Sequence, residues 1–140
     1  ENIDAQYRTE YSIKALTDEG KEVECLYEYL DNWDQTTAQQ DVANALSQYG
    51  DKIEVVFCNN DEMALGAIEA AKSANKKIFI VGFDGTQDGL KAVEAGAMAA
   101  TIAQQPELMG QQGLDAAVKV AKGEKVEAKI GVPLKLVDKK

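Results

Sequence analysis

Five short polar clusters carry most of the chemistry open to this 140-residue sequence: Asp4 with Arg8, Asn32-Trp33-Asp34, Asn59-Asn60-Asp61, Asp84-Gly85-Thr86 and Gln104-Gln105. They offer carboxylates, side-chain amides, one guanidinium and the only Trp of the chain. Planar polar groups hydrogen-bond vicinal hydroxyls in pairs, and an indole covers an apolar C–H face, so the set suits a sugar. Arg8 is the one Arg among fifteen basic residues, which marks it for a specific role rather than for solubility alone. No cluster is a phosphate cradle, and no cofactor is expected. Each residue also has a plainer use. Asp61 reads as the N-cap of the helix that follows it, Asp84 before Gly85 is a turn type, and Trp33 fits a hydrophobic seam.

Several reaction classes are excluded by composition. The chain has no His, which removes Ser-His and Cys-His nucleophile systems and the commonest zinc ligand. Cys25 and Cys58 cannot form a zinc site alone and are too far apart for a CxxC redox pair, so each reads as a small buried hydrophobe. Phe83-Asp84-Gly85-Thr86 is similar to the haloacid dehalogenase motif, but the position two before Asp84 is Gly82 where that chemistry needs an aspartate nucleophile. Asp4 and Asp84 as a glycosidase pair stay open, because their separation is not legible in sequence. Fifteen Lys and Arg against 24 Asp and Glu give a net charge of -9, the wrong sign for a nucleic-acid or anionic membrane partner. No apolar run approaches the roughly 20 residues of a spanning helix, and Glu1 to Asp4 show no signal-peptide pattern.

The elements that must position these clusters alternate in type. Helices are expected at about 5–19, 35–49, 63–72, 88–95 and 106–122, the last opened by Pro106, and strands at about 22–30, 53–58, 77–83, 98–103 and 129–137. Val23, Cys25, Tyr27 and Tyr29 alternate with residues of which Glu22, Glu24 and Glu28 are acidic, as in an outer strand, whereas Ile53–Cys58 is an apolar run expected to be buried on both faces. This is an α/β pattern, a doubly wound, Rossmann-like parallel sheet. Such a sheet usually has a strand ahead of its first helix, and none precedes helix 5–19, so the first strand is expected to be missing and the chain to be a fragment. Ligands of such sheets sit beyond the carboxyl ends of the strands, where Asn32 to Asp34, Asn59 to Asp61, Asp84 and Gln104 all fall. Asp4 and Arg8, one helical turn apart, can face the same rim.

Three ordered motifs carry a family resemblance over nearly the whole chain. Val55-Val56-Phe57-Cys58-Asn59-Asn60-Asp61-Glu62-Met63-Ala64-Leu65-Gly66, then Ile80 to Thr86, then Ala99-Ala100-Thr101-Ile102-Ala103-Gln104, resemble the carboxy-terminal half of bacterial periplasmic sugar-binding proteins of the ribose and galactose/glucose type. Lys122 to Val126 and Leu134 to Val137 are similar to the ribose-type ending, whereas Asp4 to Arg8 with Asn32-Trp33-Asp34 is more similar to the galactose/glucose branch. The resemblance implies that Asp4, Arg8, Asn60, Asp84 and Gln104 bind hydroxyls, that Trp33 stacks on the ring, and that a hexose is the ligand. Position 104 is Gln as in the ribose type, where the galactose type has Asn.

The same resemblance implies one lobe of a two-lobed clamp. Residues 1–105 would form the carboxy-terminal sugar-binding lobe, 106–128 a crossover helix packed on the absent amino-terminal lobe, and 129–140 a returning strand and tail. Glu54 takes the place of a glutamate that helps hold calcium in the galactose/glucose branch, but the rest of that loop would precede residue 1, so no metal is expected here. The implied function is non-enzymatic sugar binding in the periplasm or outside the cell, beside an ABC permease, for uptake or chemosensing. The alternatives are the effector domain of a LacI-like transcription regulator and a glycosidase. Two further expectations concern packing. In the strand order 2-1-3-4-5, the strands of Cys25 and Cys58 lie two spacings or about 9.5 Å apart, beyond the roughly 7 Å limit for a disulfide. The free edge of strand 53–58 and the apolar stripe of helix 106–122 would need cover from another lobe, a second copy or another chain.

Overall fold

Helices form where caps and apolar spacing coincide. The computed structural model describes residues 2–139. Helix α1 spans Ile3–Asp18, α2 Gln35–Tyr49, α3 Asp61–Ser73, α4 Gln87–Ala95 and α5 Pro106–Ala121. Asn2, Asp34, Asn60 and Thr86 cap the first four through side-chain oxygens that accept orphan backbone N–H groups. Gly96, at φ 75°, ends α4 in the left-handed conformation that a side chain would resist.

Strands β1 (Val55–Phe57), β2 (Phe79–Asp84), β3 (Ala100–Ala103) and β4 (Lys135–Asp138) form one sheet in the order β1-β2-β3-β4. The first three are parallel, and β4 runs antiparallel to β3. The sheet is therefore mixed, where the sequence pattern suggests a wholly parallel one. Two expected strands differ further. Residues 22–30 form no strand: the alternating pattern is present, but no strand lies beside it to complete a ladder, and Tyr27 instead stacks on Tyr29 at 5.4 Å. Of 129–137, only the stretch from Lys135 onward pairs, because β3 offers just four residues to pair with.

The core lies on one side of the sheet. Ile80, Cys58 and Thr101 point from the strands toward α3 and α4, where Met63, Ala64, Ala67, Ile68 and Val93 are buried. The alanine-rich face of α3 also lets α2 approach closely. On the other side Val55, Phe79 and Leu136 share one face and stay 57%, 68% and 64% exposed. Strand β1, read as buried on both faces, is thus left open at Val55, whereas farther along the same face of the sheet Phe83 is buried beneath Arg8 of α1. Helices α1 and α5 bury no residue, and Leu114 on α5 is 67% exposed. Cys25 is exposed and Cys58 buried, and both are free thiols. The expected Cys25–Cys58 spacing rested on a strand that does not form, so that geometric argument lapses.

An apolar face of this kind, next to the unpaired edge of β1, drives self-association. The 140-residue polypeptide is expected to sediment above its monomer mass. Phe79→Glu, which puts a charge on the exposed face beside Val55, is expected to shift it toward monomer. Sedimentation of both proteins at equal concentration checks this; a monomeric wild type would show that the exposed face is tolerated.

Candidate functional site

Helix α1 is attached to the lobe chiefly by polar contacts at the carboxyl end of β1. Asn59 Nδ2 donates to Thr9 Oγ1 at 2.9 Å and reaches Ala5 O at 3.5 Å, while Arg8 Nη1 donates to Asn59 O at 2.7 Å. These bonds fix the helix so that Arg8 turns over the sheet. Its guanidinium carbon lies 3.7 Å from the centroid of the Phe83 ring and 6.0 Å from that of Trp33. Stacking on an aromatic face holds the planar group and leaves its N–H edge free to point outward.

Beyond Phe83 stands Asp84, at φ 109°, a conformation that costs a residue with a Cβ about 1–3 kcal/mol and that local packing must enforce. Its Oδ1 accepts from Gln104 Nε2 at 2.5 Å and lies 3.6 Å from Arg8 Nη1. Arg8, Asp84 and Gln104 thus form one charged cluster, with the Arg8 and Asp84 side chains 17% and 30% exposed. Ion pairing and hydrogen bonding leave a carboxylate and a guanidinium edge facing solvent side by side, which is a donor and acceptor array for adjacent hydroxyls. Trp33 reaches the rim on a turn in which Asn32 and Trp33 both have positive φ, 49° and 68°, closed by Asp34 N–H donating to Asp31 O at 2.9 Å. Asp34 then caps α2, and the Thr37 N–H and hydroxyl that bond to it hold its carboxyl below the usual range.

The structure therefore brings Arg8, Trp33, Asp84 and Gln104 together by direct or aromatic contact. Asn60 sits at the same end of β1 but is buried, and its Oδ1 accepts from Met63 N–H at 2.9 Å. It is the N-cap of α3, the role the sequence pattern suggests for Asp61. The reason is backbone shape: Asn60 has the extended φ of -150° required of a cap, whereas Asp61 is already helical. Asp4 remains at the exposed start of α1 with its N–H bonded to Asn2. Glu54 is exposed just ahead of β1, and no group of three or more His, Cys, Asp or Glu that could hold a metal occurs among the described residues. One contributor escapes a reading by residue type, and one has a different use from the rim place its type suggests. Phe83 is the platform for Arg8, its only available signal being a Phe one residue before the rim Asp, and Asn59 is the dock for α1.

Behind the Trp33 turn lies a pair of acids. Asp31 Oδ1 and Asp41 Oδ2 are buried without hydrogen-bond donors. Burial pushes the Asp31 carboxyl up to about 6, helped by the closeness of Asp41 and by repulsion from Asp41 and Asp34. Between the ordinary value of 3.8 and about 6 the folded chain holds more protons than the unfolded one, so stability falls as pH rises through that window and is flat above it. Asp31→Asn is expected to flatten this slope and to raise the melting temperature near neutral pH. Thermal melts from pH 4 to 8, with Trp33 fluorescence as the probe, check it. Cys58, by contrast, is no nucleophile at any ordinary pH, since burial pushes its thiol up to about 12.

An α/β lobe with a polar, aromatic-flanked rim at the carboxyl ends of parallel strands is the architecture of a small-molecule binding lobe. The chain belongs to the periplasmic binding protein domain family, which matches residues 2–125. It is 58% identical over 106 residues to the ribose import binding protein of Haemophilus influenzae, covering 76% of this chain and 36% of that protein. It is 39% identical over 100 residues to the D-galactose/methyl-galactoside binding periplasmic protein of the same organism, covering 71% of this chain and 30% of that protein. In structure it is similar to an ABC transporter solute binding protein from Bacillus halodurans with bound myo-inositol, with a TM-score of 0.81 at 31% identity, over 94% of this chain and 45% of that one. The chain thus spans about a third of the length of these curated relatives. All three are binding proteins, and none is named as an enzyme.

Proposed function

We propose that the chain is the solute-binding lobe of an extracytoplasmic monosaccharide-binding protein that serves ABC sugar uptake or chemosensing. The observation that carries this is the convergence of Arg8 and Gln104 on one carboxylate oxygen of Asp84, beside Trp33 at the strand ends. In this reading residues 1–105 form the sugar-binding lobe, 106–128 a crossover helix that packs on an amino-terminal lobe, and 129–140 a returning strand. That α5 buries no residue, with Leu114 67% exposed, and that β4 returns to the sheet support that division. Asp4 and Asn60 complete the ligand set, the working compartment is the periplasm or cell exterior, and an ABC permease is the partner. The named relatives favour this over a LacI-like effector domain or a glycosidase.

A hexose of the galactose/glucose kind is the preferred ligand, supported by Asp4, Arg8 and Trp33, since an indole covers the broad apolar face of a pyranose. A pentose such as ribose is the second reading, favoured by Gln104 and by the higher identity to the ribose import protein. One lobe wets one face of the ring and lacks the desolvation that clamp closure provides, so the affinity of the 140-residue chain is weak. NMR titration with D-galactose, D-glucose and D-ribose tests the proposal. Saturable shifts at the Trp33 indole N–H and the Gln104 side-chain amide support it, and the sugar that saturates at lowest concentration identifies the class. No shift with any of the three at concentrations well above millimolar would refute it.

A further inference from the structure

We infer that Asp61 is a positioning residue of the sugar site: its buried carboxylate holds the Asp84–Thr86 loop in the backbone shape that presents Asp84 toward Gln104 and Arg8. The inference rests on the sugar-binding reading of Asp84. Asp61 is 0% exposed, and burial of an unpaired carboxylate is prohibitive, so its partners define its purpose. There are three. Thr101 Oγ1 donates to Oδ1 at 2.7 Å; Thr86 N–H and Thr86 Oγ1 donate to Oδ2 at 2.7 Å and 3.1 Å.

Each hydroxyl donates to the carboxylate, which can only accept, and each also accepts from an amide. Gly85 N–H donates to Thr101 Oγ1 at 3.3 Å, and Gly89 N–H donates to Thr86 Oγ1 at 3.1 Å. Two chains therefore run from amide to hydroxyl to carboxylate, each polarising the next bond. The consequence concerns Asp84. The two peptide N–H groups that follow it, those of Gly85 and Thr86, both end on Asp61, one through Thr101 and one directly. Its own carbonyl is held by Gln104 N–H at 3.0 Å. The peptide unit that follows Asp84, at φ 109°, is thus held at both its carbonyl and its N–H.

Asp61 is also boxed in by glycine backbone. A Cβ at Gly82 on β2 would meet Asp61 Oδ1, and one at Gly89 on α4 would meet Asp61 Oδ2. The carboxylate therefore lies directly against two elements and leaves no room for a side chain from either. It joins α3, β2, β3 and the start of α4 at the root of the loop that carries Asp84, without itself reaching the rim.

Two substitutions at Thr101 separate positioning from plain stability. Thr101→Val keeps the volume and removes the relay hydroxyl, while Thr101→Ser keeps the hydroxyl and removes a buried methyl. Asp61→Asn is the third variant: Thr86 N–H can only donate, so the Asn oxygen must face Thr86 and its amide group must face Thr101. Binding of D-galactose and D-ribose and amide hydrogen exchange are measured on all four proteins. Thr101→Val and Asp61→Asn are expected to weaken binding about tenfold, the worth of one buried hydrogen bond, while Thr101→Ser binds like the wild type even where its melting temperature falls. Exchange at Gly85 and Thr86 is expected to accelerate in Thr101→Val and Asp61→Asn well beyond any change at Ile80. Equal acceleration at all three amides, or unchanged exchange at Gly85 and Thr86, overturns the positioning role. A wild type that binds neither sugar overturns the sugar reading instead, and the exchange pattern still decides whether Asp61 holds the loop.

Discussion

Replacing Arg8 with Met is expected to weaken monosaccharide binding by about a hundredfold or more, the largest loss of any single change at the rim. Hydrogen bonds to charged groups contribute about 1.5–3 kcal/mol each, and the guanidinium is placed to make a ligand bond while pairing with Asp84. Met fills the space over the Phe83 ring yet supplies no donor. Asp84 then loses its only cationic neighbour among the described residues, and the Asn59 carbonyl loses the donor that orients α1. Arg8→Lys keeps the charge but not the flat group that stacks on Phe83, so it is expected to recover only part of the loss. Thr9 and Asn59 still hold α1 in both variants, so the far-UV spectrum should change little. NMR titration with the sugar that binds the wild type decides the matter; wild-type affinity in Arg8→Met would place the ligand elsewhere.

The second large effect is on folding, and a matched pair of substitutions exposes it. Ala is favoured over Gly in a helix interior by about 1 kcal/mol, so both Gly66→Ala in α3 and Gly110→Ala in α5 should stabilise on propensity alone. The surroundings reverse the first. A Cβ on Gly66 would collide with the backbone carbonyl oxygen of Gln35 and lie 3.0 Å from the backbone nitrogen of Gln39, and neither atom can swing aside as a flexible side chain would. Separating α2 from α3 is expected to cost about 2–3 kcal/mol net, typical of overpacking. At Gly110 nothing lies within 4 Å, so the same change is expected to be neutral or to raise helicity slightly. Urea unfolding curves for the pair check this, and a stabilised Gly66→Ala would mean that the two helices are less closely docked than their backbones indicate.

Local patterns carried the elements and the rim, and they failed where a partner had to be present. The helix entry at Pro106 lies where the sequence places it, and the caps at Asp34 and Thr86 and the stop at Gly96 are equally local chemistry. The strand at 22–30 was misread because alternation describes what a strand would bury, not whether another strand stands beside it. Asp61 was misread for a related reason. Its type and place at a helix start suit a cap, but Thr86 and Thr101 lie 25 and 40 residues away in sequence, and only folding brings them to its carboxylate. Asn60 took the cap because its backbone was the extended one. Arg8 and Asp84 were legible as a pair of unusual residues, whereas their meeting over Phe83 depends on how Asn59 docks α1.

The antiparallel return of β4 also orders events in time. Strands β1, β2 and β3 join through short helical crossovers, so they can assemble from contacts close in sequence. The pairing of Ala100–Ala103 with Lys135–Asp138 must instead close a loop of about thirty residues that contains the whole of α5, and loop closure is an entropy cost met before any ladder bond forms. Strand β4 sits at one edge of the sheet and is joined across the longest of these connections, so it is expected to open before the central β2. Its amides are then expected to exchange faster than those of β2, the four-stranded sheet acting as a three-stranded kernel with a reversible clasp.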